Sequence, residues 1–376
     1  MLDKRRKRRF DFRIECPEII IYEETMEQNV KDMYIERLCH TLNDSKLSDL
    51  HKNKIISYAQ QLLDKNMPVL YDKKHIAMIF DLRNIRLISS NYNKFYIDEK
   101  HKKRLIEAPS KKLKSIQKWI LNNILEQLDT SEYAYGFRKG RSILQNALCH
   151  LGKKNVLCLD IKDFFGSIDE KTVFWLFRNI GFTSEASKTL KKLCCYKKAL
   201  PQGAPTSPCI ANIVCINMDK KLAQLAKKYN AVYSRYADDI TFSSDEDISF
   251  LSKEVEKIIR KYNFFLNDKT KYYSGDHPKF ITGLVVHKDK IRVPKKIKRE
   301  LSKEIHFCRK FGVDMHLNNS GAEKRVNYRE YLYGKAYYIK MVEHETGEKF
   351  LGMLNMIDWP DWALGSSNTS DNESVL

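Results

Sequence analysis

The sequence contains no apolar run long enough to cross a lipid bilayer, which argues against an integral membrane protein. Its first cluster of cations, Lys4 to Arg9, is followed by alternating polar and apolar residues instead of the apolar stretch of a secretory signal. The composition, 43% hydrophobic and 31% charged, is typical of a globular chain. We therefore expect a cytoplasmic protein without a membrane partner.

The sequence also lacks any pair of cysteines with Cys-x-x-Cys spacing, although nine cysteines are scattered along it. This absence argues against a zinc ribbon and against a disulfide framework. The adjacent pair Cys194 and Cys195 is better explained by packing than by redox chemistry. A reducing compartment fits this use of cysteine.

Acidic residues are too few to balance the cations, since 67 lysines and arginines face 48 acidic residues and give a formal net charge of +19. A surplus of this size in a chain of 376 residues favours a polyanionic partner, and phosphate neutralisation would make its binding depend steeply on salt. The length also predicts two or three subdomains.

Two adjacent carboxylates, Asp238 and Asp239, lie between segments of β-forming residues at 231–235 and 240–242. This pattern predicts an antiparallel hairpin with both acids at its bend. Aspartate pairs are common in structural turns, so the pair does not by itself indicate an active site.

A third carboxylate, Asp160, follows the continuous apolar run Val156–Leu159, which predicts a short buried strand. If that strand lies beside the hairpin, the three acids converge. Their oxygen ligands would suit two Mg²⁺ ions roughly 3.5–4 Å apart, one activating a hydroxyl and one stabilising a leaving pyrophosphate. This is the chemistry of a nucleic-acid polymerase.

The loop after Asp160 is short, because Ser167 to Glu170 fits a capping box and predicts that a helix begins there. Backbone N–H groups and aromatic side chains of this loop could hold the triphosphate and sugar of a nucleotide. Phe165, close to the 2′ position, would leave no room for a hydroxyl group and would select deoxynucleotides.

Further segments offer groups that could contact a substrate. In the turn-rich run 200–208, Gly203 allows close backbone approach and Gln202 offers a neutral donor and acceptor, although alone the run is only a loop before a helix. Lys269 could protonate the departing pyrophosphate. Residues 280–286 predict a strand.

Clusters of cations could contact phosphate groups. Arg104, within a cationic run that leads into a short predicted strand, could bind a triphosphate at two points, with a solvated basic loop as the alternative. In 135–142 and in two helices near the carboxyl terminus, cations and aromatic residues are interleaved, which suits a nucleic acid, although buried core is the commoner fate of such a helical stripe. The predicted nucleic-acid contacts are Arg138, Lys139, Arg141, Lys295, Lys296, Lys298, Arg299, Tyr331, Lys335 and Tyr338.

His150 lies at the end of a predicted helix that Ser142 would cap, and from the residues alone it reads as a hydrogen-bonded structural residue.

Four segments, in this order, resemble motifs A, B, C and D of the reverse transcriptases. They are Leu159–Phe165, Pro201–Pro208, Tyr236–Asp239 and Leu266–Thr270. The resemblance extends from about residue 76 to about residue 345. It implies an α/β (α+β) right-hand polymerase with fingers, a palm of antiparallel sheet and helices, and a helical thumb.

The resemblance also implies roles for particular residues. Asp160, Asp238 and Asp239, with Ile161, would hold two Mg²⁺ ions, and Lys269 matches the motif D lysine. The implied nucleotide-binding residues are Arg104, Asp163, Phe164, Phe165, Gln202 and Gly203.

Within the reverse transcriptases the chain most resembles the retron type. Asn146, Ala147 and His150 match the NAxxH motif, and Ile281-Thr282-Gly283 is close to the VTG motif, with isoleucine in place of valine. The resemblance implies a structured noncoding RNA as template and primer, dNTPs, an RNA–DNA hybrid and a 2′,5′-branched product (msDNA). It further implies antiphage defence with an effector protein and a host RNase H.

Two other interpretations remain open. One is a group II intron-like or abortive-infection reverse transcriptase with different priming, although no maturase or endonuclease extension follows the predicted thumb. The other is an RNA-binding scaffold with secondary polymerase activity, against which the three intact carboxylates argue.

The predicted domains are a basic helical extension at 1–70, fingers at 71–150, a palm at 151–290, an RNA-binding thumb at 291–362 and a disordered tail at 363–376.

Replacing the aromatic side chain at the predicted sugar gate should weaken discrimination against ribonucleotides. We expect Phe165→Ala or Phe165→Val to incorporate ribonucleotides, because the space next to the 2′ position would no longer be filled. Incorporation of matched dNTP and rNTP by parent and variant measures this, and equal discrimination in both would refute the assignment.

Overall fold

A computed structural model of the chain describes residues 28–83, 85–99, 102–319, 327–360 and 362. The Lys4–Arg9 run and the predicted tail at 363–376 lie outside the described residues. The chain forms two compact units, one from residues up to 130 together with 163–215, the other from 131–162 together with residues from 216 onward. The predicted division into fingers, palm and thumb stays a prediction.

The chain contains fifteen α-helices and nine short strands over the residues that the structure describes. The helices are α1 (Gln28–Asn43), α2 (Asp49–Leu63), α3 (Lys73–Ile79), α4 (Ile85–Ser89), α5 (Lys111–Asn123), α6 (Ile143–Leu148), α7 (Glu170–Ile180), α8 (Ser184–Cys194), α9 (Ser207–Val214), α10 (Ile216–Lys228), α11 (Leu251–Arg260), α12 (Lys295–Phe311), α13 (Val313–Asn319), α14 (Tyr328–Val342) and α15 (His344–Asn355). The strands are β1 (Tyr92–Glu99), β2 (Lys102–Pro109), β3 (Asn155–Asp160), β4 (Val232–Tyr236), β5 (Asp239–Ser244), β6 (Lys271–Tyr273), β7 (Lys279–Ile281), β8 (Leu284–His287) and β9 (Lys290–Arg292). Mixed helices and antiparallel sheets confirm the predicted α/β class. Over the ranges that the structure describes, no helix is long and apolar enough to cross a membrane.

The first unit joins a group of packed helices to an antiparallel hairpin, in which β1 and β2 pair along their whole length. Helix α8 contacts α3, α4, α5 and α7 and buries Leu190 and Leu193. The side-chain amide of Gln117 in α5 donates to the carbonyl of Leu193 at 2.8 Å. Burial of apolar side chains and this internal hydrogen bond together fix α5 against α8.

The helix predicted after Asp160 is present as α7, but the predicted capping box is wrong. Asp169 is the N-cap, and its carboxylate accepts a hydrogen bond from the backbone N–H of Thr172 at 2.8 Å. Ser167 instead belongs to the preceding turn, where its N–H donates to the carbonyl of Asp163. An ionised cap also interacts favourably with the helix dipole, which explains why the helix begins after the acid.

The second unit contains two antiparallel sheets. The first has four strands in the order β4-β5-β3-β6, and the second has three in the order β7-β8-β9. The predicted buried strand is confirmed as β3 and the predicted hairpin as β4 and β5. Because β5 pairs with both β4 and β3, the hairpin and the buried strand form one continuous sheet.

Residues 280–286 were predicted as one strand, and this is wrong because a tight turn divides them into β7 and β8. Thr282 and Gly283 form the turn, with φ values of 45° and 85°. Positive φ at both central residues is the geometry that a two-residue hairpin turn requires. The predicted Ile281-Thr282-Gly283 motif is therefore a hairpin turn.

The helices α12, α14 and α15 share a hydrophobic core with the three-stranded sheet and with β3 of the four-stranded sheet. Leu301, Leu332 and Leu354 from these helices are fully buried there, together with Val156 of β3. Such shared burial makes the carboxyl-terminal helices part of the same folding unit as the strands.

His150, just after α6, forms a hydrogen bond with each of the two strands of the β4–β5 hairpin. The helix begins with a capping box between Ser142 and Gln145, as the predicted cap at Ser142 requires. Each ring nitrogen of His150 lies 2.7 Å from a serine hydroxyl, Nδ1 from Ser243 of β5 and Nε2 from Ser234 of β4. Burial lowers the pKa of His150 to about 3, so the imidazole is neutral and fully hydrogen-bonded.

Substitution of His150 should change both stability and its pH dependence. His150→Ala should lower the free energy of unfolding by about 3 kcal/mol, because it leaves a cavity and two buried hydroxyls without their partner. The stability that neutral His150 provides is full above pH 6.5 and is lost as pH falls toward 3, since the unfolded chain binds the proton more tightly.

By pH 5 this loss is about 2 kcal/mol in the parent and absent in His150→Gln. Urea unfolding at pH 7 and pH 5 measures both quantities, with the exposed His277→Gln in the same unit as the matched control. Identical pH dependence in the parent and His150→Gln would contradict the assignment.

Candidate active site

The three predicted carboxylates lie at one end of the four-stranded sheet. Asp160, the last residue of β3, is the direct cross-strand partner of Asp239, the first residue of β5. Directly opposed residues project from the same face of an antiparallel pair, with Cβ atoms about 4.5–5.5 Å apart. Asp238 precedes Asp239 in the hairpin turn, and its carbonyl accepts the N–H of Ile161 at 2.9 Å. The predicted adjacency of the strand that ends at Asp160 and the hairpin is confirmed, and convergence of the three acids on a metal stays a prediction.

A buried ion pair holds the turn that carries the acids. The guanidinium of Arg235 binds the carboxylate of Asp219 in α10 at two points, each 2.8 Å long, and both side chains are fully buried. A third N–H of Arg235 donates to the carbonyl of Ala237 at 3.0 Å. Since Ala237 has a φ of 57°, which is unfavourable for alanine, this bond stabilises a strained turn.

Sequence reasoning missed Asp219 and Arg235. Arg235 gave a signal, because an arginine inside a predicted buried strand requires an acidic partner. Nothing in the linear sequence indicates which carboxylate it binds. Tyr233 completes the arrangement by donating to Asp219 at 2.7 Å.

The segment 135–142, predicted to follow a nucleic acid, also supports the turn. The N–H of Tyr135 donates to the carbonyl of Arg235 at 2.8 Å. A Cβ atom at Gly136 would lie 2.6 Å from the backbone nitrogen of Ala237, so only glycine allows this approach.

The cations of this segment differ in what they contact. Arg138 donates to the carbonyls of Ser131 and Ala134, so at least part of its role is structural. Arg141 lies over the ring of Tyr135, 4.7 Å from its centroid, and Lys139 is exposed.

Burial, together with repulsion among the three carboxylates, raises the pKa of Asp239. Burial, the charge of Asp238 and the charge of Asp160 raise the pKa of Asp239 to about 6, and Lys271 partly offsets this. The residue as a whole is solvent-exposed, so water screens part of the repulsion. Concentrated negative charge of this kind is what a bound divalent cation would neutralise.

Among the residues that the structure describes, no three His, Cys, Asp or Glu side chains are gathered closely enough to hold a metal ion as they stand. The carboxylates nevertheless fit a hard cation by donor type and charge, because Asp160 and Asp239 are directly opposed in the sheet and the charges of Asp160 and Asp238 both act on Asp239.

Lys271, not predicted from the sequence, lies on the carboxylate face. It is the cross-strand partner of Cys158, two residues from Asp160 on the same face of β3, and its charge acts on Asp239. Lys269, the predicted proton donor, is exposed in the loop before β6.

The predicted nucleotide-binding residues all belong to the first unit. There Gln202 and Gly203 lie against β2, because the N–H of Glu107 donates to the carbonyl of Gln202 at 2.8 Å. Gly203 has a φ of 130°, and a Cβ atom there would lie 2.9 Å from the carbonyl of Glu107. The strand that carries Arg104 is therefore joined to the predicted substrate loop.

The loop after the first carboxylate turns sharply. Asp163 has a φ of 45°, and a side chain at Gly166 would collide with the Asp163 carboxylate. The rings of Phe164 and Phe165 lie 5.5 Å apart, Phe164 only 5% exposed and Phe165 half-buried. Phe165 thus keeps the exposure that a sugar gate needs, whereas Phe164 is a core residue whose backbone alone could reach a nucleotide.

The predicted RNA contacts in the carboxyl-terminal helices differ in what they contact. Lys298 donates to both carboxylate oxygens of Glu343 at 2.8 Å, and Tyr338 packs against the hydrophobic core. Lys335 lies over the ring of Tyr331 at 4.5 Å. The cations Lys295, Lys296 and Arg299 are exposed at the start of α12.

The two short predicted motifs, at 146–150 and 281–283, touch each other. The amide of Asn146 donates to the hydroxyl of Thr282 at 3.3 Å, and Ala147 is fully buried beside it. Asn146 and His150, from one helical segment, thus contact the 282–283 turn and the β4–β5 hairpin respectively.

Comparison with known proteins gives one consistent family. Residues 93–328, well over half of the chain, match the family described as reverse transcriptase (RNA-dependent DNA polymerase). The chain is 38% identical to the retron Ec86 reverse transcriptase of Escherichia coli over 55% of this chain and 66% of that protein. It is 34% identical to the retron Mx162 reverse transcriptase of Myxococcus xanthus over 68% of this chain and 58% of that protein. It is 30% identical to the retron Ec83 reverse transcriptase of Escherichia coli over 66% of this chain and 83% of that protein.

The chain thus spans less than two thirds of the length of the retron Ec86 and Mx162 proteins, but most of the length of the retron Ec83 protein.

Removing one of the repelling carboxylates should stabilise the metal-free protein. The pKa of Asp239 is raised in the fold, so its cost to stability is absent below about pH 4 and full above about pH 6. With allowance for solvent screening, we expect Asp239→Asn to gain on the order of 1 kcal/mol at pH 8. Thermal unfolding in EDTA at pH 8 and pH 5 measures the gain, which should shrink at the lower pH.

Magnesium should stabilise the parent more than Asp239→Asn in the same assay, with the exposed Asp268→Asn as the matched control. A loss of stability at pH 8 in Asp239→Asn would contradict the repulsion described above.

Proposed function

Because this chain belongs to the reverse transcriptase family, and within it to the retron reverse transcriptases, we propose that it is an RNA-directed DNA polymerase that copies part of a structured noncoding RNA. The observation that supports this best is the cross-strand pairing of Asp160 with Asp239, which directly follows Asp238 in the hairpin turn. Reverse transcriptases generally use divalent metal ions, and carboxylate oxygens are the ligands that such hard cations prefer.

Asp160, Asp238 and Asp239, with the carbonyl of Ile161, would hold two Mg²⁺ ions, which when bound activate the attacking hydroxyl and neutralise the leaving pyrophosphate. The protein contributes a fixed position for these ligands. Arg235 and Asp219 hold the turn before Asp238, so the site needs little rearrangement of its backbone.

In this proposal the first unit supplies the nucleotide contacts. Arg104 binds the triphosphate through its planar guanidinium, and backbone groups of Asp163 and Phe164 face the nucleotide. Phe165 excludes a 2′-hydroxyl, and Gln202 and Gly203 contact the incoming nucleotide and the template. Lys269 donates a proton to pyrophosphate. We also propose that the chain has the fingers, palm and thumb of a right-hand polymerase.

The RNA partner follows from the charge of the chain and from the relatives. A net charge of +19 suits a polyanion, and the exposed cations at the start of α12 are the proposed RNA contacts. In this proposal the protein uses dNTPs to make msDNA, in which DNA is joined to RNA through a 2′,5′ branch. It acts in the cytoplasm in antiphage defence, together with an effector protein and a host RNase H.

The catalytic assignment predicts that synthesis and RNA binding can be separated. Asp238→Asn should reduce DNA synthesis by several orders of magnitude, because it removes a charged metal ligand, while RNA affinity stays within about twofold. Primer extension and fluorescence anisotropy on the same preparation measure the two, with Asp268→Asn as the matched control. Retained synthesis in Asp238→Asn would exclude the proposed site.

The retron assignment predicts the linkage in the product. Nucleic acid that copurifies with the protein from its native host should contain short single-stranded DNA joined to RNA, and a debranching enzyme should separate them. Linear DNA that is insensitive to debranching would favour an intron-type or abortive-infection enzyme. RNA without DNA would favour an RNA-binding scaffold.

A further inference from the structure

Two lysine ammonium groups crowd around one carboxylate on the first unit. Nζ of Lys94 in β1 lies 4.0 Å from Oε1 of Glu107 in β2, and Nζ of Lys197 lies 3.5 Å from the same oxygen. Both also lie over the ring of Tyr196, at 5.7 Å and 5.5 Å from its centroid. We call Lys94, Glu107, Tyr196 and Lys197 the paired-lysine cluster. Its two cations share one counter-charge, which leaves a net positive charge.

The cations of the cluster face solvent, and the carboxylate lies beneath them. The side chains of Lys94 and Lys197 are 41% and 59% exposed, whereas that of Glu107 is 16% exposed. The side-chain hydrogen bond with Lys197, together with the charge of Lys197, lowers the pKa of Lys94, whereas the contacts with Lys94 and Glu107 raise the pKa of Lys197. An incoming anion would therefore meet two accessible ammonium groups whose repulsion it relieves.

The backbone that presents Lys197 is strained. Tyr196 and Ala199 exchange backbone hydrogen bonds of 2.9 Å and 3.1 Å around the two-residue turn of Lys197 and Lys198. The φ values of these lysines are 47° and 71°. Asn-Gly is the favoured pair in such a turn, and lysine is unfavourable at both positions. Retention of an unfavourable pair is typical of a functional segment.

The cluster is next to the loop of Gln202. The backbone N–H of Glu107 donates to the carbonyl of Gln202 at 2.8 Å, so the residue that the two lysines share also anchors this loop. Tyr196 stacks on Tyr92 of β1 with ring centroids 4.4 Å apart, which fixes the ring beneath the ammonium groups.

We propose that the paired-lysine cluster binds a phosphate group. Ammonium groups donate charge-assisted hydrogen bonds to phosphate oxygens, and the Tyr196 ring orients both cations from below. The choice of phosphate rests on the proposed function, which supplies two sources. One is a backbone phosphate of the RNA or DNA strand, and the other is the triphosphate of a nucleotide.

Four variants test the site. Lys94→Gln with Lys197→Gln removes both cations, and Lys111→Gln with Lys112→Gln, two exposed lysines in α5 of the same unit, is the matched control for lost charge. Glu107→Gln removes only the counter-charge. Lys197→Asn with Lys198→Gly gives the turn its favoured residues while removing one cation of the cluster.

The first experiment uses inorganic tripolyphosphate as the probe and thermal unfolding as the readout, so it does not depend on polymerase activity. We expect the double glutamine variant of the cluster to bind the probe at least about tenfold more weakly than the α5 control. Glu107→Gln should bind it more tightly than the parent. The Asn-Gly variant should unfold at a higher temperature and yet respond less to the probe.

A second experiment distinguishes the two phosphate sources. Fluorescence anisotropy with an RNA–DNA hybrid, without nucleotide, measures binding of the strand. If the cluster holds a backbone phosphate, the slope of log affinity against log salt concentration should be smaller by about one in the double glutamine variant than in the parent. The KM for dNTP on a preformed primer–template measures binding of the triphosphate. A change in either quantity beyond that of the α5 control supports the site.

Unchanged tripolyphosphate binding in the double glutamine variant, together with unchanged hybrid affinity and KM, would overturn the proposal. Weaker binding in Glu107→Gln would also overturn it. Failure of the proposed function is a separate result, since a parent protein that synthesises no DNA can still show the tripolyphosphate response.

Discussion

The candidate site depends on one buried ion pair, between Arg235 and Asp219. Burying two charged side chains away from water costs free energy. Replacing either residue alone would lower the stability of the protein by about 3–5 kcal/mol, because the other charge would stay buried without a partner. The pair is better understood through what it fixes. Arg235 also binds the carbonyl of Ala237, whose positive φ sets the direction of the next two residues, both aspartates. A neutral residue at 235 could fill the space but could not bind Asp219 and that carbonyl together.

The residues behind the hairpin extend the same constraint. His150 uses both ring nitrogens to join Ser234 and Ser243, and Asn146, one helical turn earlier, binds Thr282 at the next hairpin turn. These contacts give the 146–150 motif a physical explanation as internal support for the strand that carries Asp239. Both ring nitrogens of the buried His150 are bonded within the protein, so the contribution of this residue is the position of the strands.

Both units contain conformations or charges that are unfavourable for stability at residues with a proposed function. Three carboxylates repel one another, and Ala237 adopts a strained conformation. In the first unit Asp163 and the Lys197-Lys198 turn also have positive φ. Stability alone would select against each of these features, and the surrounding burial and hydrogen bonds offset them. Within each unit, such features at predicted site residues are consistent with a preorganised site.

The local pattern of the sequence determined much of this protein. Two segments rich in β-formers on either side of the paired aspartates predicted the β4–β5 hairpin, an apolar run predicted β3, and the order of four short motifs identified the family, because each signal lies within a few consecutive residues. The local pattern gave the wrong N-cap for α7 and missed the turn at Thr282. Serine and aspartate are about equally good N-caps, and a short apolar segment can form one strand or a hairpin, so contacts with the neighbouring backbone decided both cases. Only the tertiary structure paired Arg235 with Asp219, seated His150 between two serines and brought Lys94 and Lys197 to one carboxylate. Such contacts join residues distant in the chain, and no local preference specifies them, since they form only when the fold brings the partners together and, for Arg235 and His150, removes water from them.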